Sequence, residues 1–406
     1  MTEQQASLDI RVVRETAEFH ALKDQWNELV DSSEYPNIFT TWEWASIWWK
    51  WYGEKELKGE LFVLLLENGS ELVGIVPFYR VRKGIPFIMS TRHLQLIGYD
   101  GQTCPEYLGP MIRKGWIAPV CEKTVAFLQE NRKDWDSIFF EDYALDDPGT
   151  VALVEQMKGC FEKKAEPGEV RYNIQLPESY DTYLASLSYH NRRRKRERIN
   201  QSRSRHNAVW YVVSEDTFDF WFQTLVELTN RAREKHKEKN PFLLPTFSGF
   251  HWEVCESLFP QGKVLPFILN FNDKPASAWY VYTFHGKCAA YQQGHDTNLK
   301  GSPSDVALQM LLMYLIENGF HEFDFLRGGE WYKTTFTDSG RKTESFHAFP
   351  KKNSAFFLFR FVHDIYLPLR RQAKQIVVKL CSLLKKSGST AQESSSTDSG
   401  KNEVSS

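Results

Sequence analysis

The sequence lacks the patterns that usually indicate a metal site, a disulfide framework or a membrane-spanning segment. Its 406 residues include only six cysteines, which are widely spaced and form no Cys-x-x-Cys pair. This spacing argues against a zinc site and against a disulfide scaffold. No run approaches the roughly 18 to 20 apolar residues of a transmembrane helix, and residues 1–5 lack the basic and apolar order of a signal peptide. These absences predict a cytoplasmic protein with reduced thiols and no metal.

An excess of charge of one sign is also missing. The chain has 50 Lys and Arg residues against 52 Asp and Glu residues, a formal net charge of -2. This balance excludes a globally basic nucleic-acid binder, so any anionic partner must meet a local basic patch. The hydrophobic content of 42% and charged content of 25% are typical of a globular protein. A length of 406 residues favours two domains.

The common catalytic motifs are absent as well. The sequence contains no HExxH, GxSxG, GxxxxGK or GxGxxG, so no motif supports a metalloprotease, hydrolase, NTPase or dinucleotide-binding enzyme. Reactions that depend mainly on positioning the reactants remain open. Direct transfer of a group from an activated donor is the leading reaction of this kind.

What is present is one order of predicted elements that occurs twice. A hairpin turn at Asn68-Gly69-Ser70 corresponds to a turn at Asn272, an offset of 204 positions (272 − 68). A later strand around Ile138 corresponds to one around Phe323, an offset of 185 positions (323 − 138). Because an internal repeat fixes the architecture, we predict an α/β fold of two similar units. Each unit is expected to be a mixed, mostly antiparallel sheet flanked by helices.

The predicted boundaries follow from this repeat. Residues 10–178 form the first unit, closed by a strand at 172–176, and residues 179–350 form the second. Residues 351–386 are basic and amphipathic, which favours either an anionic membrane face or a helix packed over the domain. Residues 387–406 have almost nothing to bury and are predicted to be disordered.

Two segments have unusual compositions. Residues 41–52 contain five tryptophans, and we favour a helix wedged between packed layers over an aromatic wall facing a substrate. Residues 189–198, followed by Arg203 and Arg205, predict a helix whose later turns are overwhelmingly basic. Such a cluster can hold phosphates, RNA or an anionic lipid surface. The alternative is a solvated face, but only Glu197 relieves the repulsion between neighbouring turns, which favours an anionic ligand.

Three phrases together resemble the CelD-like acetyltransferases of the GNAT superfamily, which are relatives of the FemAB peptidyltransferases. The first is Tyr-Leu-Ala-Ser-Leu-Ser at 183–188, which runs into the Arg-rich helix. The second is Gly-His-Asp at 294–296, ahead of a helix start at Ser302-Pro303. The third is Phe-Asp-Phe-Leu-Arg-Gly at 323–328, which leads to Tyr332-Lys333. The resemblance covers most of residues 10–350.

The resemblance implies a tandem GNAT fold, acyl-CoA as the donor and an amine or hydroxyl acceptor, often a sugar or polysaccharide precursor. It also implies that the donor pyrophosphate binds the backbone amides at a helix start, here at the cofactor-binding residues Gly301, Ser302, Ser304 and Asp305. The sequence departs from the family in two respects. The pyrophosphate signature Gln/Arg-x-x-Gly-x-Gly/Ala is absent from both halves, and the helix start has Pro303-Ser304 where the family usually has Pro-Gly.

Attack on a thioester needs a base, donors for the oxyanion and an acid for the thiolate. We expect Asp324 to be the base, with an ion pair to Arg327 or Lys333 as its structural alternative. Tyr332 is the expected acid and Lys333 an anion binder. The strand residues 291, 293 and 295 alternate and are therefore expected on one face. The predicted substrate-binding residues are Glu106, Tyr107, Tyr291, Gln293, His295 and Arg327.

Two other functions remain open at this level. One is an aminoacyl-tRNA-dependent ligase of the FemAB kind, in which the basic helix holds tRNA. The other is a GNAT-like binding module without catalysis, attached to the inner face of a membrane through residues 355–386.

Overall fold

The computed structural model describes residues 8–85, 89–328 and 331–350, together with Phe356, Phe357 and Phe361. The strands of the first half are β1 (Leu8–Val13), β2 (Glu60–Asn68), β3 (Glu71–Ile85), β4 (Met89–Leu96), β5 (Met111–Ile112), β6 (Ser137–Ala144) and β7 (Glu162–Pro167). Its α-helices are α1 (Thr16–Ala21), α2 (Lys23–Ser32), α3 (Trp42–Trp48), α4 (Ile117–Glu130) and α5 (Pro148–Cys160). A 3₁₀ turn at Ile38–Thr40 precedes α3, and a π-helical turn at Trp49–Gly53 follows it.

The rest of the chain, which begins with the last strand of residues 10–178, has the same kinds of elements. Its strands are β8 (Arg171–Gln175), β9 (Val209–Val212), β10 (Val264–Phe271), β11 (Lys274–Phe284), β12 (Lys287–His295), β13 (Glu322–Asp324), β14 (Gly340–Arg341) and β15 (Thr343–Phe349). Its α-helices are α6 (Tyr180–Ser186), α7 (Tyr189–His206), α8 (Phe218–Lys235), α9 (Pro245–Leu258) and α10 (Pro303–Glu317). Short 3₁₀ turns lie at Glu215–Thr217, Pro241–Leu243 and Lys333–Thr335.

Among the described residues the strands form two sheets with matching orders. One sheet runs β1-β2-β3-β4-β6-β15-β7, with β5 on β3, and the other runs β9-β10-β11-β12-β13-β8-β14. In both sheets the fourth and fifth strands pair in parallel, whereas the other pairs are antiparallel. The predicted fold class, two mixed and mostly antiparallel sheets flanked by helices, is therefore confirmed.

The halves exchange one strand each. The sixth position of the first sheet is filled by β15 from the end of the second half, and the sixth position of the second sheet is filled by β8. The strand expected at 172–176 therefore forms, but it pairs with β13 and β14 rather than closing the first sheet. A division of the chain at 178/179 stays a prediction, and it separates each exchanged strand from its sheet.

Local sequence accounts for several elements. The hairpin of β2 and β3 turns at Gly69, whose φ of +63° suits glycine. The basic helix forms as α7, and the Ser188 hydroxyl caps it by accepting a hydrogen bond from the Asn191 amide. The first helix begins only at Thr16, because residues 8–13 alternate and pair with the edge of β2 instead.

The tryptophan-rich helix α3 lies between the two halves. Trp44 and Trp48 are fully buried, and the Trp44 Nε1 donates to the Tyr282 hydroxyl of β11 at 3.2 Å. Trp44 also meets Phe250 of α9 edge to face at 5.1 Å. The prediction of a helix wedged between packed layers is confirmed, and the aromatic pairs join the halves through a continuous apolar core.

The described residues from 8 to 350 belong to one compact unit. The predicted basic segment 351–386 and tail 387–406 lie outside the described residues, apart from Phe356, Phe357 and Phe361. In the part of the chain that is described, no helix combines the length and apolar character needed to cross a membrane.

Candidate active site

A narrow pocket lies between the halves at the ends of β12 and β13, with a cavity volume of about 50 Å³. The first half supplies the segment 35–39 and Tyr107, and the second supplies β12 and β13 residues. The polar side chains of its lining are Tyr35, Asn37, Tyr107, Tyr282, Lys287, Glu322, Asp324 and Arg341. Two of the predicted site residues, Tyr107 and Asp324, therefore meet in a pocket that only the assembled halves can form.

The Asp324 carboxylate of this pocket accepts three hydrogen bonds. Its Oδ2 accepts from the Tyr107 hydroxyl at 2.8 Å and from the Arg341 guanidinium at 2.6 Å. Its Oδ1 accepts from the Leu326 amide at 2.7 Å. Asp324 is 4% exposed, so these donors replace water around its carboxylate.

Burial and the neighbouring charges act on Asp324 in opposite directions. Desolvation raises the pKa of Asp324 to about 6, and the Arg341 guanidinium and the Tyr107 hydroxyl limit the rise. A carboxyl group with this pKa is mostly ionised at neutral pH but accepts a proton more readily than an ordinary aspartate. That property suits a general base.

The backbone around the pocket is strained. Tyr107 has a φ of +59° and Leu326 a φ of +54°, conformations that bulky residues rarely adopt. Cys104, three residues before Tyr107, has a φ of +44°. Such strain clusters at functional sites because the surrounding structure must hold it in place. Here the strained backbone places the Tyr107 hydroxyl and the Leu326 amide where both donate to the Asp324 carboxylate.

A second ionic cluster lies next to the pocket and holds Glu106. Its carboxylate is 1% exposed and accepts from Arg171 Nε and from Arg327 Nε, each at 3.0 Å. Arg171 also donates to Asp142 at 2.5 Å. Burial raises the pKa of Glu106, whereas Arg171 and Arg327 lower it. The alternative of an ion pair between Asp324 and Arg327 is not what forms, since Arg327 pairs with Glu106.

Arg171 and Arg341 were missed by the sequence prediction. Each lies on one of the short strands β8 and β14, in surroundings with no recognisable motif. Arg171 is fully buried and Arg341 is 8% exposed. A buried arginine needs acidic partners, but the sequence does not reveal which sheet each strand will join, and so the partners could not be named.

Tyr332 and Lys333 lie at the exit of β13. The Lys333 ammonium is buried and donates to the carbonyls of Phe325, Leu326, Arg327 and Gly328, at distances from 2.8 to 3.4 Å. These contacts hold the turn that follows Asp324. The half-buried Tyr332 ring meets Phe325 edge to face at 6.4 Å. The anion-binding role of Lys333 and the acid role of Tyr332 stay predictions.

A β-bulge divides the residues predicted on β12. The pairing of β11 with β12 shifts at Tyr291, which packs with Tyr280 and Tyr282 on the side of the first half. Gln293 and His295 lie on the other face, where their side chains hydrogen-bond at 2.8 Å. The expectation that these three residues share a face is wrong for Tyr291, because the extra residue of a bulge reverses the alternation.

The predicted donor-binding residues lie at the start of α10. Gly301 and Ser302 have φ values of +95° and +56°, and no side chain caps the first amides of the helix. Ser304 Oγ donates to Gln293 Oε1 at 3.1 Å, which ties the helix start to β12. Asp305 accepts from Arg198 of α7 at 2.7 Å. The structure thus brings Gln293, His295 and the helix start together, on the face of the second sheet opposite the pocket.

Among the described residues no group of three or more His, Cys, Asp or Glu side chains could hold a metal ion. The polar groups of the site are ion-paired side chains, hydroxyl groups and the backbone amides at the start of α10. These groups can bind anions, orient an acceptor and move protons.

Comparison with known proteins identifies part of this architecture. Residues 190–334 match the family model described as "Acetyltransferase (GNAT) domain". The matched segment contains the start of α10, Asp324, Tyr332 and Lys333, whereas Glu106, Tyr107 and Arg341 lie outside it. The pocket beside Asp324 is therefore built jointly by the segment that resembles a GNAT domain and by parts of the chain that precede and follow it.

Solved structures extend the similarity to the whole fold. The crystal structure of FemX matches with a TM-score of 0.56 and 11% identity, over 84% of this chain and 97% of FemX. A conserved protein of unknown function from Bacteroides thetaiotaomicron VPI-5482 matches with a TM-score of 0.52 and 11% identity, over 84% and 100% of the chains. At this identity the likeness shows the fold alone. With the two sheets, it shows that the chain shares the overall fold of these structures.

A third structure, that of L-PGS from Bacillus licheniformis, matches with a TM-score of 0.50 and 11% identity, over 85% of this chain and 95% of that one. None of the curated proteins compared with the sequence matches it significantly. The CelD-like assignment stays a prediction.

Proposed function

We propose that the protein is an acyltransferase that moves an acetyl or other acyl group from acyl-CoA to an amine or hydroxyl acceptor, a sugar or polysaccharide precursor. The observation that carries this proposal is the position of Asp324. The parallel ladder of β12 and β13 ends at Ala289 and Asp324, with the pocket on one face and the start of α10 on the other. Two reactants can therefore approach the end of the ladder from opposite faces.

The donor side is the start of α10. Its uncapped amides and the positive end of the helix dipole suit a pyrophosphate. Gly301 has no room for a side chain, since an added Cβ would lie 2.7 Å from His206 Nε2. Gln293, His295 and Ser304 form the adjoining wall. We assign this surface to the phosphates of acyl-CoA.

The acceptor side is the pocket. The acceptor nitrogen or oxygen forms a bond to the thioester carbonyl carbon while its proton passes to Asp324, whose carboxylate accepts a hydrogen bond from the Tyr107 hydroxyl at 2.8 Å. The C–S bond then breaks, and the CoA thiolate takes a proton from Tyr332. Arg341 holds Asp324 in place, and Lys333 fixes the turn beyond it. Glu106 and Arg327 position the loop that carries Tyr107.

Two measurements test the proposal. Calorimetric titration with CoA should show a single saturable site. Incubation with acetyl-CoA and a panel of amino-sugar nucleotides should release free thiol at a rate that depends on the acceptor. If CoA does not bind, the proposal is wrong. If no acceptor in the panel accelerates the release of thiol, the proposed class of acceptor is wrong.

A second candidate is an aminoacyl-tRNA-dependent ligase. It is favoured by Arg192, Arg194, Arg203 and Arg205 of α7, which have no carboxylate within ion-pair distance among the described residues. Binding of a tRNA that weakens steeply with salt, and that is lost when these arginines are neutralised, would favour this function over the first.

A further inference from the structure

The basic helix α7 borders the start of α10. At its middle, Arg198 and Lys195 lie 2.7 and 3.5 Å from the Asp305 carboxylate. At its C-terminal end, the His206 ring lies against Gly301 and stacks on Phe271 at 4.9 Å. The segment 301–305 therefore runs alongside α7 from residue 198 to residue 206. Two features that are far apart in the sequence form one surface.

One side of α7 carries a row of arginines toward this surface. Arg194 and Arg198 are four residues apart, and Arg205 is eleven residues from Arg194, which is close to three helical turns. We call these three residues the α7 stripe. Arg198 marks its direction, since that residue reaches Asp305. Arg194 donates to Asn191 Oδ1 at 3.0 Å, and its Nε is buried without a hydrogen-bond partner.

The charges of this surface are unbalanced. Three arginines and Lys195 face one carboxylate, that of Asp305. Arg198 and Lys195 already neutralise Asp305, which would otherwise repel an anion at the helix start. Burial lowers the pKa of Lys195 to about 7, and so this lysine supplies only part of a charge at neutral pH. Arg194 and Arg205 remain as cations without an acidic partner among the described residues, on the side of α7 that borders the donor site.

We propose that the α7 stripe binds a second phosphate group of the donor, separate from the pyrophosphate at the start of α10. The inference rests on the proposed function. The stripe spans about 16 Å, since eleven residues rise roughly 1.5 Å each, and it begins beside the helix start. A phosphate monoester on the nucleotide end of the donor can reach it. The 3′-phosphate of CoA is such a group.

The test compares CoA with 3′-dephospho-CoA by calorimetry at fixed ionic strength. We expect the full-length protein to bind CoA roughly tenfold more tightly, the effect of one charge-assisted contact worth about 1.4 kcal/mol. The double variant Arg194→Gln/Arg205→Gln should lose this preference, because the Arg198–Asp305 pair stays intact and only the two unpaired cations are removed. The control Arg193→Gln/Arg203→Gln removes the same charge from other sides of α7 and should keep the preference.

The outcomes separate this inference from the function on which it rests. If the protein binds both nucleotides equally, or if the control variant loses the preference as fully as the stripe variant, the inference is overturned and the donor assignment stands. A preference that survives in the stripe variant also overturns it. If neither nucleotide binds, whereas an RNA acceptor-stem hairpin binds and is released by salt, both the donor assignment and the inference fail.

Discussion

The two halves have sheets with matching strand orders, but different side chains lie at the corresponding positions. In each half, three residues of the fourth strand pair in parallel with the fifth strand: residues 93–95 with 137–139 in the first half, and residues 287–289 with 322–324 in the second. The last pair of the second half is Ala289 with Asp324, and the matching pair of the first is Gln95 with Phe139. Phe139 stacks on His347 at 4.2 Å. An aromatic pair fills the place that the acid occupies in the other half.

The surroundings of the corresponding helices α4 and α10 also differ between the halves. α4 begins after Trp116 and packs against α5. α10, its counterpart, begins after Ser302, also without a side-chain cap, and lies beside the basic helix α7. The duplicated scaffold keeps its backbone architecture in both halves, whereas in the second half an acid ends the strand and a basic helix lies beside the helix start. We therefore expect chemistry in the second half, with the first contributing pocket residues.

Separating the halves should have the largest effect. Residues 1–178 expressed alone lack β15, and residues 179–350 expressed alone lack β8, so each sheet misses its sixth strand. An open sheet with unpaired backbone groups in this position is prone to misfold and aggregate. We expect both fragments to be insoluble or to lack cooperative thermal unfolding, measured by circular dichroism. A fragment 1–178 that unfolds cooperatively would show that the exchange is dispensable.

The substitution Asp324→Asn should remove most of the activity while leaving the fold. Loss of a general base typically costs 10² to 10⁴ in rate, and we expect a decrease in kcat of roughly 10³. Affinity for CoA should change little, because Asp324 lies on the face opposite the start of α10. The matched control is Phe139→Leu at the corresponding position of the first half, which should leave kcat within about threefold, since that pair is structural. Equal decreases in kcat in both variants would contradict the assignment of the chemistry to the second half.

Residues with a local signal were predictable, and residues whose role depends on long-range pairing were not. Asn68-Gly69-Ser70 predicted the hairpin, and the basic run at 189–198 predicted α7. Asp324 was identified through the Phe-Asp-Phe-Leu-Arg-Gly phrase at 323–328. The strand exchange was not predictable, because β8 and β15 have the same alternating pattern in either sheet. Without the exchange, the partners of Arg171 and Arg341 cannot be deduced, and a bulge such as that at Tyr291 leaves no mark in the sequence.

The substitution Arg171→Met should destabilise the protein without touching the pocket directly. It leaves Glu106 buried with Arg327 as its remaining cation and removes the contact to Asp142. Breaking a buried ion pair on one side costs about 3 to 5 kcal/mol, and we expect the free energy of unfolding in urea to fall by about 3 kcal/mol. Arg193→Met, which removes an exposed arginine of α7, is the control and should leave the urea midpoint unchanged. If the urea midpoint is unchanged in both variants, the ionic cluster around Glu106 does not stabilise the contact between the halves.

The smallest effect concerns the pH dependence of activity and compares two tyrosine–carboxylate pairs. Asp324 must be ionised to accept a proton, so kcat should fall as the pH decreases through about 6, the pKa of Asp324. The Tyr107 hydroxyl bond favours the charged carboxylate and lowers this pKa. Tyr107→Phe removes that bond and should move the fall in kcat to higher pH, by less than about one unit.

The matched variant in the first half is Tyr143→Phe, because the Tyr143 hydroxyl donates to Glu344 in the same manner. That pair lies away from the pocket, and its loss should leave the pH profile in place. A profile unmoved by Tyr107→Phe would mean that the proton does not reach Asp324, and a different base would have to be sought. Equal shifts in both variants would mean that the profile reports the stability of the fold, since both hydroxyl groups donate to carboxylates, a buried one at Asp324 and a half-buried one at Glu344. A shift confined to Tyr107→Phe would link the strained loop of the first half to the acid of the second.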